Sequence, residues 1–278
     1  MPPVRIVTDS TADLPETLYQ QFSISRVPLK VLMGAEIYRD GLDITPESFY
    51  DRLRQGELAS TSQPSPGEFA QVFESLTADG SQVICLTLSS HFSGTYQSAK
   101  LAAKMVKGDV EMVDTRSATW GIALMAMAAS RAAADGKTKQ EILALLQDLI
   151  PKMKVLFLVD SLDYLERGGR IGKAQAFLGS LLNIKPLLCV RDGIVNPYEK
   201  IRGKNKGLER MIQIAEQDAG NAEMVCAVLG GGDPAAREIL HQKARERLNC
   251  REIWLGDIGP VIGSHVGPGV SGIIYYTI

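Results

Sequence analysis

The chain alternates between short apolar runs and longer stretches of helical periodicity, and few folds tolerate that rhythm. "VRIVT" (Val4 to Thr8), "QVICLTL" (Gln82 to Leu88) and "VEMVDT" (Val110 to Thr115) read as strands. "LPETLYQQF", "GTYQSAKLAAKMV" and an Ala/Met-rich stretch ending near Gly136 read as the helices that follow them. Strands that alternate with helices imply a parallel sheet covered on both faces, a Rossmann-like α/β arrangement. Helix starts are legible too. Pro15 stands near a first turn, Thr45 precedes Pro46, and Ser65 with Glu68 and Thr138 with Glu141 each have the spacing of a capping box. "ISRVPLKVLM" reads as extended, and "YRDG" (Tyr38 to Gly41) as a hairpin turn.

The second half has a different pattern. After the strand "KVLFLV" comes a glycine-rich link, "LDYLERGGRIGKA", and then Asp192-Gly193 between apolar runs, a strong hairpin signal. Helices over 208–218 and 234–248 alternate with the strands "MVCAVLG", "EIWLGD" and "SGIIYYTI"; "GGGD" (Gly230 to Asp233) reads as a turn into a Pro-initiated helix. Hairpins mixed with helices suggest an α+β domain with a mixed sheet. At 278 residues the chain exceeds the usual single-domain size, so we expect an α/β domain over 1–150 and an α+β domain over 151–278.

Bulk properties exclude several classes. A 45% hydrophobic, 22% charged chain can bury a core, which excludes global disorder. Its net charge of −2 argues against a surface that coats nucleic acid, and no helix-turn-helix is recognisable. Cys85, Cys189, Cys226 and Cys250 lie far apart with no C-x-x-C pair, as buried free thiols do. His91, His241 and His265 share no ligand spacing, so no metal site is expected. No G-x-x-x-x-G-K-[ST] occurs and no G-x-G-x-x-G follows the first strand, so no nucleotide cofactor is expected. The N-terminus enters a strand pattern directly, and the apolar stretch around "WGIALMAMAAS" is too short for a membrane span. A cytoplasmic protein is the expectation.

Three strands end in short polar residues: "VTDS", "LTLSSHFS" and "MVDTRS". In open α/β sheets these carboxyl ends border the ligand crevice, so such residues are either helix caps or site residues. Ser93 and Gly94 fall at a helix start, where unpaired N–H groups favour a carboxylate or phosphate; the plain alternative is an N-cap. Thr61 and Ser62 stand before a rigid Pro-containing turn. In "DYLERGGRIG" two glycines between Arg167 and Arg170 suggest a tight turn that holds a charged side chain, or a solvated surface turn. His265 lies in "SHVGPG", read as a glycine-proline turn before the last strand.

Taken together, "DSTADL", "TSQPSP", "SSHFSGTYQSA", "LDYLERGGRIG" and "HVGPG" resemble the signature set of the DegV family of fatty-acid-binding proteins, in order from Asp9 to the terminal strand. The resemblance implies two domains with a long-chain fatty acid between them. It implies a carboxylate met by Thr61 and Ser93 with help from His265, with Ser62 and the Gly94 N–H beside them. It places Arg170 in a glycine-arginine motif as a possible contact to ligand or partner. It also implies a non-catalytic subunit, with no cofactor besides the bound acid, that presents it to a separate fatty-acid kinase subunit for acyl phosphate formation.

The residue types suit that ligand. At about 0.8 kcal/mol per buried methylene, a sixteen-carbon tail gains on the order of 10 kcal/mol gross. A carboxylate leaving water needs replacement hydrogen bonds, which two hydroxyls, an N–H and a histidine supply without a full countercharge. Candidates for the tail's lining are the run "AFLGSLLNIKPLL" (Ala176 to Leu188) and the helix "TWGIALMAMAAS" (Thr119 to Ser130), each otherwise ordinary core. "YEKIRGKNKG", with Lys200, Arg202, Lys204 and Lys206, is either a solvated loop or a docking patch at the pocket rim. The rival is a serine hydrolase using Ser93, Asp114 and His265, whose chain order matches α/β-hydrolase triads. Against it, Ser93 sits in "HFSGT", not in a G-x-S-x-G elbow.

Overall fold

Apolar residues facing both ways along the first strands dictate a layered molecule. The structure is a computed structural model describing residues 2–179 and 184–278. The first half runs β1 (Val4–Asp9), α1 (Glu16–Gln21), β2 (Ile24–Val27), β3 (Lys30–Met33), β4 (Glu36–Arg39), α2 (Pro46–Arg54) and β5 (Ala59–Ser62). It continues through α3 (Pro66–Thr77), β6 (Gln82–Thr87), α4 (Thr95–Met105), β7 (Val110–Asp114), α5 (Trp120–Ala134) and α6 (Lys139–Lys152). The second half runs β8 (Lys154–Leu158), α7 (Asp163–Arg167), β9 (Ile184–Arg191), β10 (Ile194–Arg202) and α8 (Lys204–Ala219). It ends with β11 (Met224–Gly231), α9 (Pro234–Arg247), β12 (Cys250–Asp257), α10 (Pro260–Val266) and β13 (Val270–Thr277).

The first sheet is parallel, in the order β2-β1-β6-β7. Alternate residues serve opposite layers. Ile6, Ile84 and Leu86 face α5, whereas Val7, Val83 and Cys85 face Phe69 and Phe73 of α3 and Ala99 and Ala102 of α4. The second sheet is mixed, in the order β10-β9-β8-β13-β11-β12, antiparallel except between β11 and β12. Val155, Phe157, Leu229 and Ile274 point into the same layer as α5, while Leu156, Leu158, Val228 and Ile273 pack on α8 and α9. The two sheets thus sandwich one apolar layer, part α5 and part open space. The α/β first half and mixed-sheet second half agree with the sequence reading.

The expected caps form. Thr45 accepts from the Ser48 N–H, and Ser65/Glu68 and Thr138/Glu141 close complete capping boxes. Asp192 and Gly193 take positive φ (53° and 77°), the type I′ geometry that joins β9 to β10.

Several local expectations fail. Tyr38 belongs to β4; the hairpin turn lies earlier, at Gly34-Ala35, and β3, β4 and β5 form a separate antiparallel sheet in the order β4-β3-β5. "YEKIRGKNKG" is not a loop: Tyr198 to Arg202 lie in β10, and Lys204 opens α8. His265 lies not in a turn but in the last turn of α10. Among the described residues no helix is long and apolar enough to cross a membrane.

Candidate functional site

A cavity of about 370 Å³ occupies the layer between the sheets where α5 does not reach. That volume lies at the lower end of the ~300–1,000 Å³ typical of small-molecule sites. Most of its wall is apolar, from β8 (Val155, Phe157), β13 (Val270, Ile274), α10 (Val261, Val266) and Leu88. Most of the polar side chains gather at one end: Thr61, Ser62, Gln63, Ser93, Arg170 and His265; Thr119, before α5, is a further polar lining residue.

Four elements bring them there: β5, α4, α7 and α10. The β3–β5 pairing sets Thr61 opposite Val31 and carries its hydroxyl to α10, where Thr61 Oγ1 and His265 Nε2 lie 2.9 Å apart. Ser93 stands just before α4; its Oγ accepts from the Thr95 N–H (3.3 Å) and meets Thr95 Oγ1 at 2.9 Å. The N-cap position of α4 is Gly94, so Ser93 stands one residue before it, as a cavity residue whose Oγ also receives the first helical N–H.

Arg170 follows α7. Its Nε donates to the Phe92 carbonyl (2.9 Å) in the other half of the chain, and its Nη1 donates to the Gly168 carbonyl (2.6 Å). A cation thus borders the polar end, beside the hydroxyls and the imidazole.

The double glycine before Arg170 has two separate causes. Gly169 takes φ 68°, where other residues are strained. Gly168 approaches His265 so closely that a Cβ there would overlap the imidazole Nδ1. That Nδ1 is buried with no hydrogen-bond partner among the described residues. Burial, and secondarily the Arg170 charge, pull the His265 pKa down to about 4, so the ring is neutral at pH 7. The contact between Thr61 Oγ1 and His265 Nε2 holds the hydroxyl and the neutral ring together where both line the cavity.

Other expected residues are placed differently. Gly94 is exposed and does not line the cavity; its missing side chain makes room for Gln63, which a Cβ at 94 would strike. Gln63 Nε2 donates to Ser98 Oγ (2.9 Å), so this amide, overlooked within "TSQPSP", ties β5 to α4 at the cavity mouth. Arg202 is exposed on β10 and does not line the cavity. Lys204 is committed to Asp233 (2.5 Å) and the Gly269 carbonyl (2.8 Å).

The hydrolase constellation is not assembled. Asp114 accepts from Ser90 Oγ (2.5 Å) and the Arg116 N–H (3.0 Å), while His265 pairs with Thr61. The remaining strand-end residues are internal ties: Asp9 accepts from the Leu88 N–H (2.7 Å), and Ser89 Oγ donates to the Gly193 carbonyl (2.8 Å).

The expected lining also needs correction. Of the Thr119 to Ser130 helix only Thr119 touches the cavity, because α5 itself is packed as core. In the 176–188 run, residues 180–183 lie outside the described residues, and the described ones do not line the cavity.

Residues 3–277 match the family model described as "Uncharacterised protein, DegV family". A DegV domain-containing protein of Caldanaerobacter subterraneus is 37% identical over 99% of both chains. A DegV family protein of Thermus thermophilus, solved as a study of fatty-acid binding, superimposes with a TM-score of 0.95 at 38% identity, covering 99% of this chain and 100% of its own. DegV of Bacillus subtilis, described as a fatty acid binding protein, gives 0.92 at 33% identity over the whole of both chains. With its double-sheet architecture and nearly full-length matches, this chain belongs to the DegV family.

Proposed function

We propose that this protein is a non-catalytic cytoplasmic carrier of a long-chain fatty acid, held between domains 1–150 and 151–278 and presented to a separate kinase subunit for conversion to an acyl phosphate. One observation carries the binding reading: an apolar cavity between two sheets gathers the Thr61 and Ser93 hydroxyls, a neutral imidazole and a guanidinium at one end. The relatives described as fatty-acid-binding support it, and the kinase partner rests on the family resemblance. In this reading the tail fills the apolar wall and supplies most of the affinity, at about 0.8 kcal/mol per methylene. Thr61 and Ser93 donate to the carboxylate, with Ser62 at the mouth. His265 orients Thr61, and Arg170 supplies positive charge from its carbonyl-bound position. Gly94 acts by admitting Gln63 rather than by donating. Arg202, away from the cavity, belongs to the face offered to the kinase.

Native mass spectrometry of the purified protein, followed by lipid extraction, tests the binding. The expected result is one fatty acid per chain. Ser93→Ala and His265→Ala are expected to weaken binding about tenfold or more each, as loss of a hydrogen bond serving a charged group does. Protein that carries no acid and takes none up, or variants with unchanged affinity, would refute the assignment.

A further inference from the structure

The cavity's far end is defined by strand register. On β8 the cavity is lined from Phe157 back to Val155, towards the strand's N-terminus and away from α7. Val155 pairs with Ile274 on one side and Val190 on the other. Just past this row lies a second hollow of about 810 Å³, with a much more polar wall that includes Lys154, Arg191 and Arg116.

The two hollows meet at shared residues: Val155, Leu156 and Val190 line both. Three places along the chain pass from one hollow to the other, while Cys189, packed on the opposite face of the sheet, borders only the cleft. Ala118 lines the cavity and Ser117 the cleft; Val155 lines both and Lys154 only the cleft; Val190 lines both and Arg191 only the cleft. Thus the cavity ends where the cross-strand pair Val155–Val190 separates an apolar space from a charged one. Val155 is buried, and Val190 is half-buried at the boundary.

Resting on the fatty-acid reading, we propose that the Val155–Val190 pair is the stop that sets the length of acyl chain this protein accepts. A methyl terminus reaching the pair has used the whole apolar wall. Further methylenes must either pass between the valines into the polar cleft, where they gain little, or compress the chain. Two branched residues side by side make a stiff partition, because β-branching restricts χ1.

The test is a competition among straight-chain saturated acids, from dodecanoic to eicosanoic, offered together to the full-length protein, with bound acids extracted and quantified. Val190→Ala should move the bound profile to longer acids and Val190→Phe to shorter ones. The ratio of neighbouring lengths should change by about fourfold for each methylene gained or lost. Val155→Ala provides a second lengthening variant with its own side chain on the partition, should a Val190 variant fail to fold. Acids bound by all folded variants with the profile of the unmodified protein overturn the stop while leaving the carrier reading intact. An unmodified protein that binds none of the acids overturns both.

Discussion

His265 shows how much one side chain's environment decides. Its ring is buried, touches Gly168 through Nδ1 and lies within reach of the Arg170 charge, so it stays neutral where an exposed histidine begins to titrate. We expect the imidazole of the ligand-free protein to titrate with a pKa of about 4 by NMR. Arg170→Gln should raise that value only part of the way to 6.5, because burial is the larger cause. A ring that titrates near 6.5 in the unmodified protein contradicts this environment. The sign for stability follows: below pH 6.5 the unfolded chain takes up a proton that the folded ring refuses, so this group's contribution declines as pH falls towards 4. The sequence made His265, Thr61 and Ser93 visible through motif residues alone. It did not reveal that the "GG" of "ERGGR" is split between a close approach and a left-handed turn. The close approach involves a partner nearly a hundred residues away, and only folding supplies it.

At the scale of elements, α10 is the surprise. Seven residues with a glycine inside and glycines at both flanks have little intrinsic helicity, and "HVGPG" accordingly reads as a turn. Tertiary contacts hold the helix instead. Tyr50 Oη donates to the Ile258 carbonyl (3.1 Å), the Asp13 carboxyl lies against Gly259, and the Val261 N–H serves Asp40. Asp9 and Asp40 are buried, with half-buried Asp13 beside them and Ser10, Thr11, Thr119 and the more distant Arg26 around them. Burial, with Asp9 adding like charge, raises the Asp40 pKa to about 6. Between about pH 4 and 6 the folded state therefore holds a proton that the unfolded chain releases, and this contribution to stability is lost as pH rises. Asp40→Asn should gain on the unmodified protein by about 2–3 kcal/mol over that interval and hold the gain at pH 7, measured by denaturant unfolding. A pH-independent difference would show that Asp40 ionises normally. The capped helices and the β9–β10 hairpin were legible because their signals are local. The β3–β5 pairing was not, since α2 separates those strands and "ASTS" carries almost no apolar pattern.

For the molecule as a whole, two sheets do not make two independent bodies. One apolar cluster takes Ile6 and Leu86 from the parallel sheet, Ile122 and Leu124 from α5, and Leu229 and Ile274 from the mixed sheet. Trp120 and Trp254 approach across the halves with ring centroids 6.1 Å apart, and Arg131 meets Glu252 at 2.7 Å. Calorimetry should therefore show one cooperative unfolding transition, with the calorimetric and van't Hoff enthalpies equal; two resolved transitions would show that the shared layer does not couple the halves. Patterning distinguished a parallel sheet from a mixed one. It could not show that α5 is spent on the core and that strands wall the cavity, because both choices use the same apolar residues. The split of the polar end adds a further consequence. Thr61 and Ser93 come from one half, His265 and Arg170 from the other, so any acid seated there rivets the halves together. Such an acid binds the folded chain alone, which turns the melting temperature into a gauge of how much of the protein is loaded.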